Sequence, residues 1–154
     1  MAIAEKLREL LENEKVNYQI MQHSVAYTAS EIAGAQHIPG KQVIKAVLIK
    51  SDNQYVLCVL PSVEWVDFEK LKRVLGSKEI KLASEAEIAK LFPDYEVGAE
   101  PPFAEGIKIF VDKNLEGNDE IVFNAGTHTD MVKVKYKDFA RLAKPTVADF
   151  GKHI

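Results

Sequence analysis

The sequence predicts an α/β (α+β) domain in which a mixed, largely antiparallel sheet is surrounded by helices. Three observations lead there. Strand-like stretches follow one another at hairpin spacing, as in Val43 to Lys50 and Tyr55 to Leu60 across the turn Ser51-Asp52-Asn53-Gln54. Helical periodicity and capping signals recur between the strands, which places helices around a sheet. The chain has 154 residues with no repeat, low-complexity stretch or linker, so residues 1–154 are read as a single domain.

Ile3, Leu7, Leu10 and Leu11 recur at helical spacing and predict a helix over 2–14. Val16, Tyr18 and Ile20 then alternate with polar residues, giving a short strand to about Gln22. Thr28-Ala29-Ser30-Glu31 is a capping box, with Tyr27 placed to staple onto Ile32; the helix it opens stops before Pro39-Gly40. Tyr55 to Leu60 is apolar throughout, as expected of a strand covered on both faces. Asp67 caps a helix that carries Phe68, Leu71, Val74 and Leu75 on one face and ends at Gly76. A short strand over Glu79 to Leu82 precedes a second capping box, Ser84-Glu85-Ala86-Glu87, whose helix runs to Leu91 and is stopped by Pro93. Residues 94–106 read as a loop, long for a compact domain and therefore a place to look for function. Strands over Ile107 to Val111, Glu120 to Asn124 and Met131 to Tyr136 follow, then a last helix over Asp138 to Ala143 and a short tail beyond Thr146.

Composition narrows the function. The formal net charge is −3, so any nucleic-acid contact must use a local patch. Candidate cations for such a patch include Lys41, Lys50, Lys70 and the pair Lys133 and Lys135, which share a strand face. The single cysteine, Cys58, sits in an apolar run and reads as a buried hydrophobe in a reducing compartment. The charged N-terminus is no signal peptide and no stretch is long enough to span a membrane, so a cytoplasmic protein is expected. The four histidines lack the spacing of a metal site, so no metal and no cofactor are expected. No GxxxxGK[ST], GxGxxG or GxSxG motif occurs, which removes P-loop, Rossmann and serine-hydrolase readings.

Four places carry candidate chemistry. Lys45 shares a strand face with Val43, Val47 and Ile49. It either lies on an exposed face or edge, or stands at the rim of a pocket aimed at a carbonyl or phosphate. Asn124-Ala125-Gly126-Thr127-His128 packs small and polar residues between two strands, and could be a plain hairpin loop or a convergence of backbone N–H groups, a hydroxyl and an imidazole. Gly98-Ala99-Glu100-Pro101-Pro102-Phe103 is stiffened by its prolines and could wall a small pocket or simply cross the surface. His23, ahead of the Thr28 helix, could be a base, a donor or a turn residue.

Taken in order, these segments resemble the YbaK-like family, which includes the insertion domain of bacterial prolyl-tRNA synthetases and free-standing relatives. The resemblance runs from about residue 2 to 145. It implies a barrel-like sheet with surrounding helices and a pocket on one side. The family's central lysine matches Lys45, its proline-rich loop matches Gly98 to Phe103, its G-x-H element matches Gly126 and His128, and its T-A-x-E signature matches Thr28, Ala29 and Glu31. Ala46 and Ala104 depart from residues common in relatives and leave the amino-acid specificity open.

The implied activity is trans-editing: deacylation of a mischarged tRNA carrying a small amino acid of the Ala, Ser, Cys or Pro class. Lys45 would be the catalytic residue. His23, Thr28, Gly98, Pro102, Phe103, Asn124, Gly126, Thr127 and His128 would bind substrate. Water, a ribose hydroxyl or the substrate's own thiol would attack. The expected partners are the acceptor end of the tRNA and an aminoacyl-tRNA synthetase, with neither membrane nor DNA involved. Two other readings share these residues: a non-catalytic tRNA- or amino-acid-binding module, and a hydrolase of other activated acyl esters.

Overall fold

The structure, a computed structural model, describes residues 4–22 and 42–153. The helix expected from Thr28 to Pro39 lies outside the described residues. Helix α1 (Glu5–Asn13) buries Leu7 and Leu11, one turn apart, and exposes its charged residues. The Ala4 N–H ahead of it donates to the Ala125 carbonyl at 3.0 Å, which docks the start of the helix on a distant turn. Strand β1 (Tyr18–Gln22) follows.

Strands β2 (Ile44–Ser51) and β3 (Gln54–Pro61) form the expected hairpin, in register from Ile44–Pro61 to Ser51–Gln54. Asp52, in the turn, has φ +53°. Both faces of β3 are covered. Leu57 and Val59 enter one cluster with Phe103, Phe123, Val132 and Phe139. Cys58 and Leu60 enter a second with Ile49, Leu71, Phe110 and Phe150. Burial pushes the Cys58 thiol up to about 12, so it stays protonated and inert at neutral pH.

Beyond β3 come β4 (Glu64–Val66), α2 (Phe68–Leu75), β5 (Ile80–Leu82) and α3 (Glu85–Leu91). The Asp67 carboxylate accepts from the Glu69 and Lys70 N–H groups, and Gly76 ends α2 with φ +64°. Ser84 and Glu87 complete a reciprocal capping box at α3. The rest comprises β6 (Lys108–Asp112), a 3-10 turn over Lys113–Leu115, β7 (Glu120–Asn124), β8 (Asp130–Lys135), α4 (Tyr136–Ala143), β9 (Thr146–Ala148) and β10 (Gly151–His153).

Three sheets result: β1-β8-β7, β5-β2-β3-β6-β9, and the two-stranded β10-β4. The pairings are antiparallel except β3 with β6 and β6 with β9, so the α+β reading with a mixed, largely antiparallel sheet holds. The two larger sheets meet at one parallel bridge, Val43 with Val122, and curve about a shared core without closing into a barrel. Among the described residues no helix is long and apolar enough to cross a membrane.

The sequence reading takes residues beyond Thr146 as a short tail, whereas they form β9 and β10. Three-residue strands are too short to show a period. What holds them is the Asp112 carboxylate, fully buried, which accepts from the Phe150, Gly151 and Asn114 N–H groups at 3.0, 2.8 and 3.0 Å. Asp112→Ala strands these donors, and we expect it to cost roughly 3 kcal/mol or more, read as a lower urea midpoint at unchanged slope.

Candidate functional site

Lys45 stands on β2 opposite Leu60, on the same face as Val47 and Ile49. It is half-buried. Burial lowers its pKa, and the nearby Glu64 carboxylate offsets part of that shift. Within the described residues it makes no hydrogen bond or ion pair, whereas Lys50 pairs with Glu87 at 3.8 Å, Lys70 with Asp149 at 3.3 Å and Lys133 with Glu120 at 4.0 Å. Lys45 is therefore a partly desolvated cation with no committed partner among those residues.

The Val43–Val122 bridge locates it. It brings Val43, two residues before Lys45, beside Val122, two residues before Asn124, and by strand alternation Lys45 lies on the Val43 face of its strand and Asn124 on the Val122 face of its own. Asn124 ends β7 and opens the turn that holds Gly126, Thr127 and His128.

That turn interlocks with the Gly98 loop. The Glu96 N–H donates to the Gly126 carbonyl at 2.9 Å, and the Gly126 N–H donates to the Ala99 carbonyl at 3.0 Å. The His128 N–H donates to Glu96 Oε1 at 2.7 Å, and its ring Nε2 lies 2.8 Å from the Val97 carbonyl. A carbonyl only accepts, so Nε2 carries the proton, and in the neutral ring Nδ1 is an acceptor with no partner among the described residues. Both glycines are required by geometry. Gly98 has φ +90°, and a Cβ there would sit 3.3 Å from His128 Cε1. Gly126 has φ +88°, and a Cβ would fall 2.5 Å from the Ala4 Cβ and 2.6 Å from Tyr95 Cδ1.

The other predicted loop residues anchor. Pro102 is buried, and Phe103, 8% exposed, packs on Phe123 and Phe139 with ring centroids 5.6 and 5.9 Å apart. Thr127 Oγ1 donates to Asp130 Oδ2 at 2.7 Å and accepts from the Asp130 N–H at 3.2 Å. The Gly98 N–H is taken by Glu100 Oε1 at 2.8 Å. The Gly98 and Gly126 N–H groups are thus engaged inside the loops, while the neighbouring Val97 and Thr127 N–H groups have no acceptor among the described residues. His23 and Thr28 lie outside those residues.

Sequence reading missed the carboxylates. Asp130 is fully buried and also accepts from Thr129 Oγ1 at 3.3 Å and Gln22 Nε2 at 3.2 Å. The run Thr127-His128-Thr129-Asp130 is the pattern of a side-chain-capped turn and was the available signal. Glu64, 3% exposed and bonded by the Asn114 amide at 3.3 Å, gave no signal, because an acid in a three-residue strand looks like surface. Among the described residues no group of three or more His, Cys, Asp or Glu side chains could hold a metal ion.

The fold is that of a solved structure of a proposed trans-editing enzyme for prolyl tRNA synthetase, with a TM-score of 0.84, 20% identity, and 98% of this chain and 99% of that one covered. Residues 23–142 match the aminoacyl-tRNA editing domain, and the chain belongs to that family. It is 32% identical to the multifunctional Ser/Thr-tRNA deacylase ProXp-y of Escherichia coli K12, over 96% of this chain and 92% of the relative. It is 24% identical to the prolyl-tRNA editing protein ProX of Acetoanaerobium sticklandii, over 93% and 89% of the two chains.

The interlocked glycines give a direct expectation. Gly126→Ala forces a Cβ into Ala4 and Tyr95 at a positive φ, which should cost on the order of 1–3 kcal/mol and raise hydrogen exchange in both loops. Exchange and stability matching the wild type would show that the loops do not depend on that contact.

Proposed function

We propose that this chain is a free-standing aminoacyl-tRNA deacylase that hydrolyses the ester of mischarged tRNA carrying a small amino acid, with Lys45 as the catalytic residue. What supports the reading is a half-buried Lys45 without an ion-pair partner among the described residues, on the strand whose Val43 bridges Val122 of the strand that ends at Asn124. The names of the E. coli and A. sticklandii relatives support the reaction class. They put serine and threonine first in the panel, followed by alanine, cysteine and proline.

The chemistry is positional. An aminoacyl ester is intrinsically labile, so orientation and charge stabilisation suffice. The Lys45 ammonium anchors the ester carbonyl or the terminal phosphate. The Thr127 and Val97 N–H groups, which have no acceptor among the described residues, would help hold the carbonyl oxygen, and His128 Nδ1 would offer an acceptor to the substrate's ammonium or hydroxyl group. The attacking group is water or a ribose hydroxyl. Among the described residues the protein offers no activated nucleophile: Cys58 is buried and protonated, and the Thr127 hydroxyl donates to Asp130. The tRNA enters by its acceptor end, and a synthetase is a possible second partner.

Lys45→Ala should lower deacylation of the mischarged panel by about 10²-fold or more while leaving the melting temperature within a few degrees. Turnover at the wild-type rate would remove the mechanism. The pH profile gives a second check. Lys45 anchors only while protonated and its pKa is depressed, so the rate should fall at a pH below the ordinary lysine value of 10.5. Glu64→Gln removes the influence that raises this pKa, so the falling limb should move to lower pH. A limb that stays in place would detach Lys45 from Glu64.

A further inference from the structure

The β4–β10 ribbon has two different faces. Its inner face carries Glu64, 3% exposed, and Val66, which packs on the second core cluster. Trp65 points the other way and is 55% exposed. A tryptophan left this open on a three-residue strand contributes little to the core, since its neighbours Glu64 and Val66 take the buried positions.

Its cross-strand partner is Lys152. Residues directly opposite in an antiparallel pair present their side chains on the same face about 5 Å apart. Lys152 is exposed and forms no ion pair with any described residue, unlike Lys70 and Lys113, which share the Asp149 carboxylate. The outer face of the ribbon thus joins an open indole to an uncommitted ammonium.

The ribbon is also tied to the site. Lys45 pairs with Leu60 on β3, the Ser62 N–H donates to the Val43 carbonyl at 2.8 Å, and Glu64 lies within electrostatic reach of Lys45. Trp65 is only five steps along the chain from Leu60, a reach of at most about 17 Å when extended. Because Trp65 faces away from Glu64, a single-stranded tail whose terminal ester sits at Lys45 must cross the ribbon's edge to meet it.

We propose that Trp65 is a stacking platform for an unpaired base near the 3′ end of the tRNA, with Lys152 meeting the adjacent phosphate. The proposal rests on the deacylase reading and adds to it a nucleic-acid contact outside the interlocked loops. Stacking tolerates any base because every base has a π-face, and the ammonium makes the contact salt-sensitive. An aromatic beside a cation fits a nucleic-acid strand better than an apolar protein partner, for which Lys152 would be an unpaired charge.

Trp65 is the chain's only tryptophan, so its intrinsic fluorescence reports the site directly. Titration with a short single-stranded RNA ending in CCA should quench it saturably, with affinity that weakens as salt rises. The same sequence in a blunt duplex should leave it nearly unchanged. In deacylation, Trp65→Ala should lower kcat/KM on mischarged tRNA by roughly five- to a hundredfold, Trp65→Phe should recover most of the loss, and turnover of a small aminoacyl ester without RNA should not change. Lys152→Gln should flatten the salt dependence of the quench. Absence of quenching, unchanged kcat/KM for Trp65→Ala on a substrate the wild type turns over, or fluorescence that tracks self-association in sedimentation would each overturn the platform. A wild type that deacylates no member of the panel would sink the deacylase reading instead, and the fluorescence titration would still decide whether Trp65 binds RNA.

Discussion

The parallel bridge between Val43 and Val122 is the constraint on which the arrangement turns. Among the described residues it is the one ladder step that joins the β2-containing sheet to the β7-containing sheet. Because strand side chains alternate, fixing this step fixes which residues of two remote strands share a face. Slipping it by one residue would send Lys45 and Asn124 to opposite sides. The bridge is buried, with Val43, Val122 and Met131 at 3% exposure or less, so the register is set by packing as well as by a hydrogen bond.

Carboxylates do the complementary work in the loops. Asp112, Glu96 and Glu100 each accept from a backbone N–H, and Asp130 accepts from the Thr127 and Thr129 hydroxyls, and so they hold irregular chain in one shape. Irregular chain leaves its own N–H groups without ladder partners, and a carboxylate with two oxygens can satisfy several of them. Asp112 does this for the C-terminal strands. Glu96 and Glu100 do it for the loop that faces the Gly126 turn, where the close approach of backbone to Tyr95 and His128 leaves room only for glycine. Acidic residues used in this way make the formal net charge of −3 a poor guide to what the rim of the site presents to RNA.

Much of this was legible in the sequence because the signals were local. The Ser84 capping box, the Asp67 cap and Gly76 terminator, and the strand over Glu120–Asn124 fall where side-chain chemistry and periodicity place them. Strands β4, β9 and β10 were not legible, because their pairings are with strands far away in sequence. The two loops could be singled out as candidates by their glycines and prolines, but their interlocking could not. It depends on long-range bonds such as Glu96 to Gly126 and on a buried acid, Asp130, that composition alone marks as surface. Phe103 shows the same limit in reverse. An aromatic beside two prolines suggests a pocket wall, yet its ring is held in the core by Phe123 and Phe139.

The division between rigid loops and an uncommitted cation suits a reaction that needs little chemical assistance. Were the bond to be broken a stable one, the protein would need a nucleophile with a base to activate it. The described residues supply none, since Cys58 is walled into the core and the Thr127 hydroxyl is tied to Asp130. A labile ester needs only to be held still beside positive charge and a hydrogen-bond donor while a small nucleophile attacks. Discrimination then falls to shape. Steric fit rejects large side chains by overlap, but separates side chains that differ by one methylene by only ~1–3 kcal/mol. Selecting among serine, threonine, alanine and proline therefore requires polar groups that recognise a hydroxyl or its absence. Of the site residues described, His128 combines an Nε2–H bound to the Val97 carbonyl with an Nδ1 that has no partner among those residues.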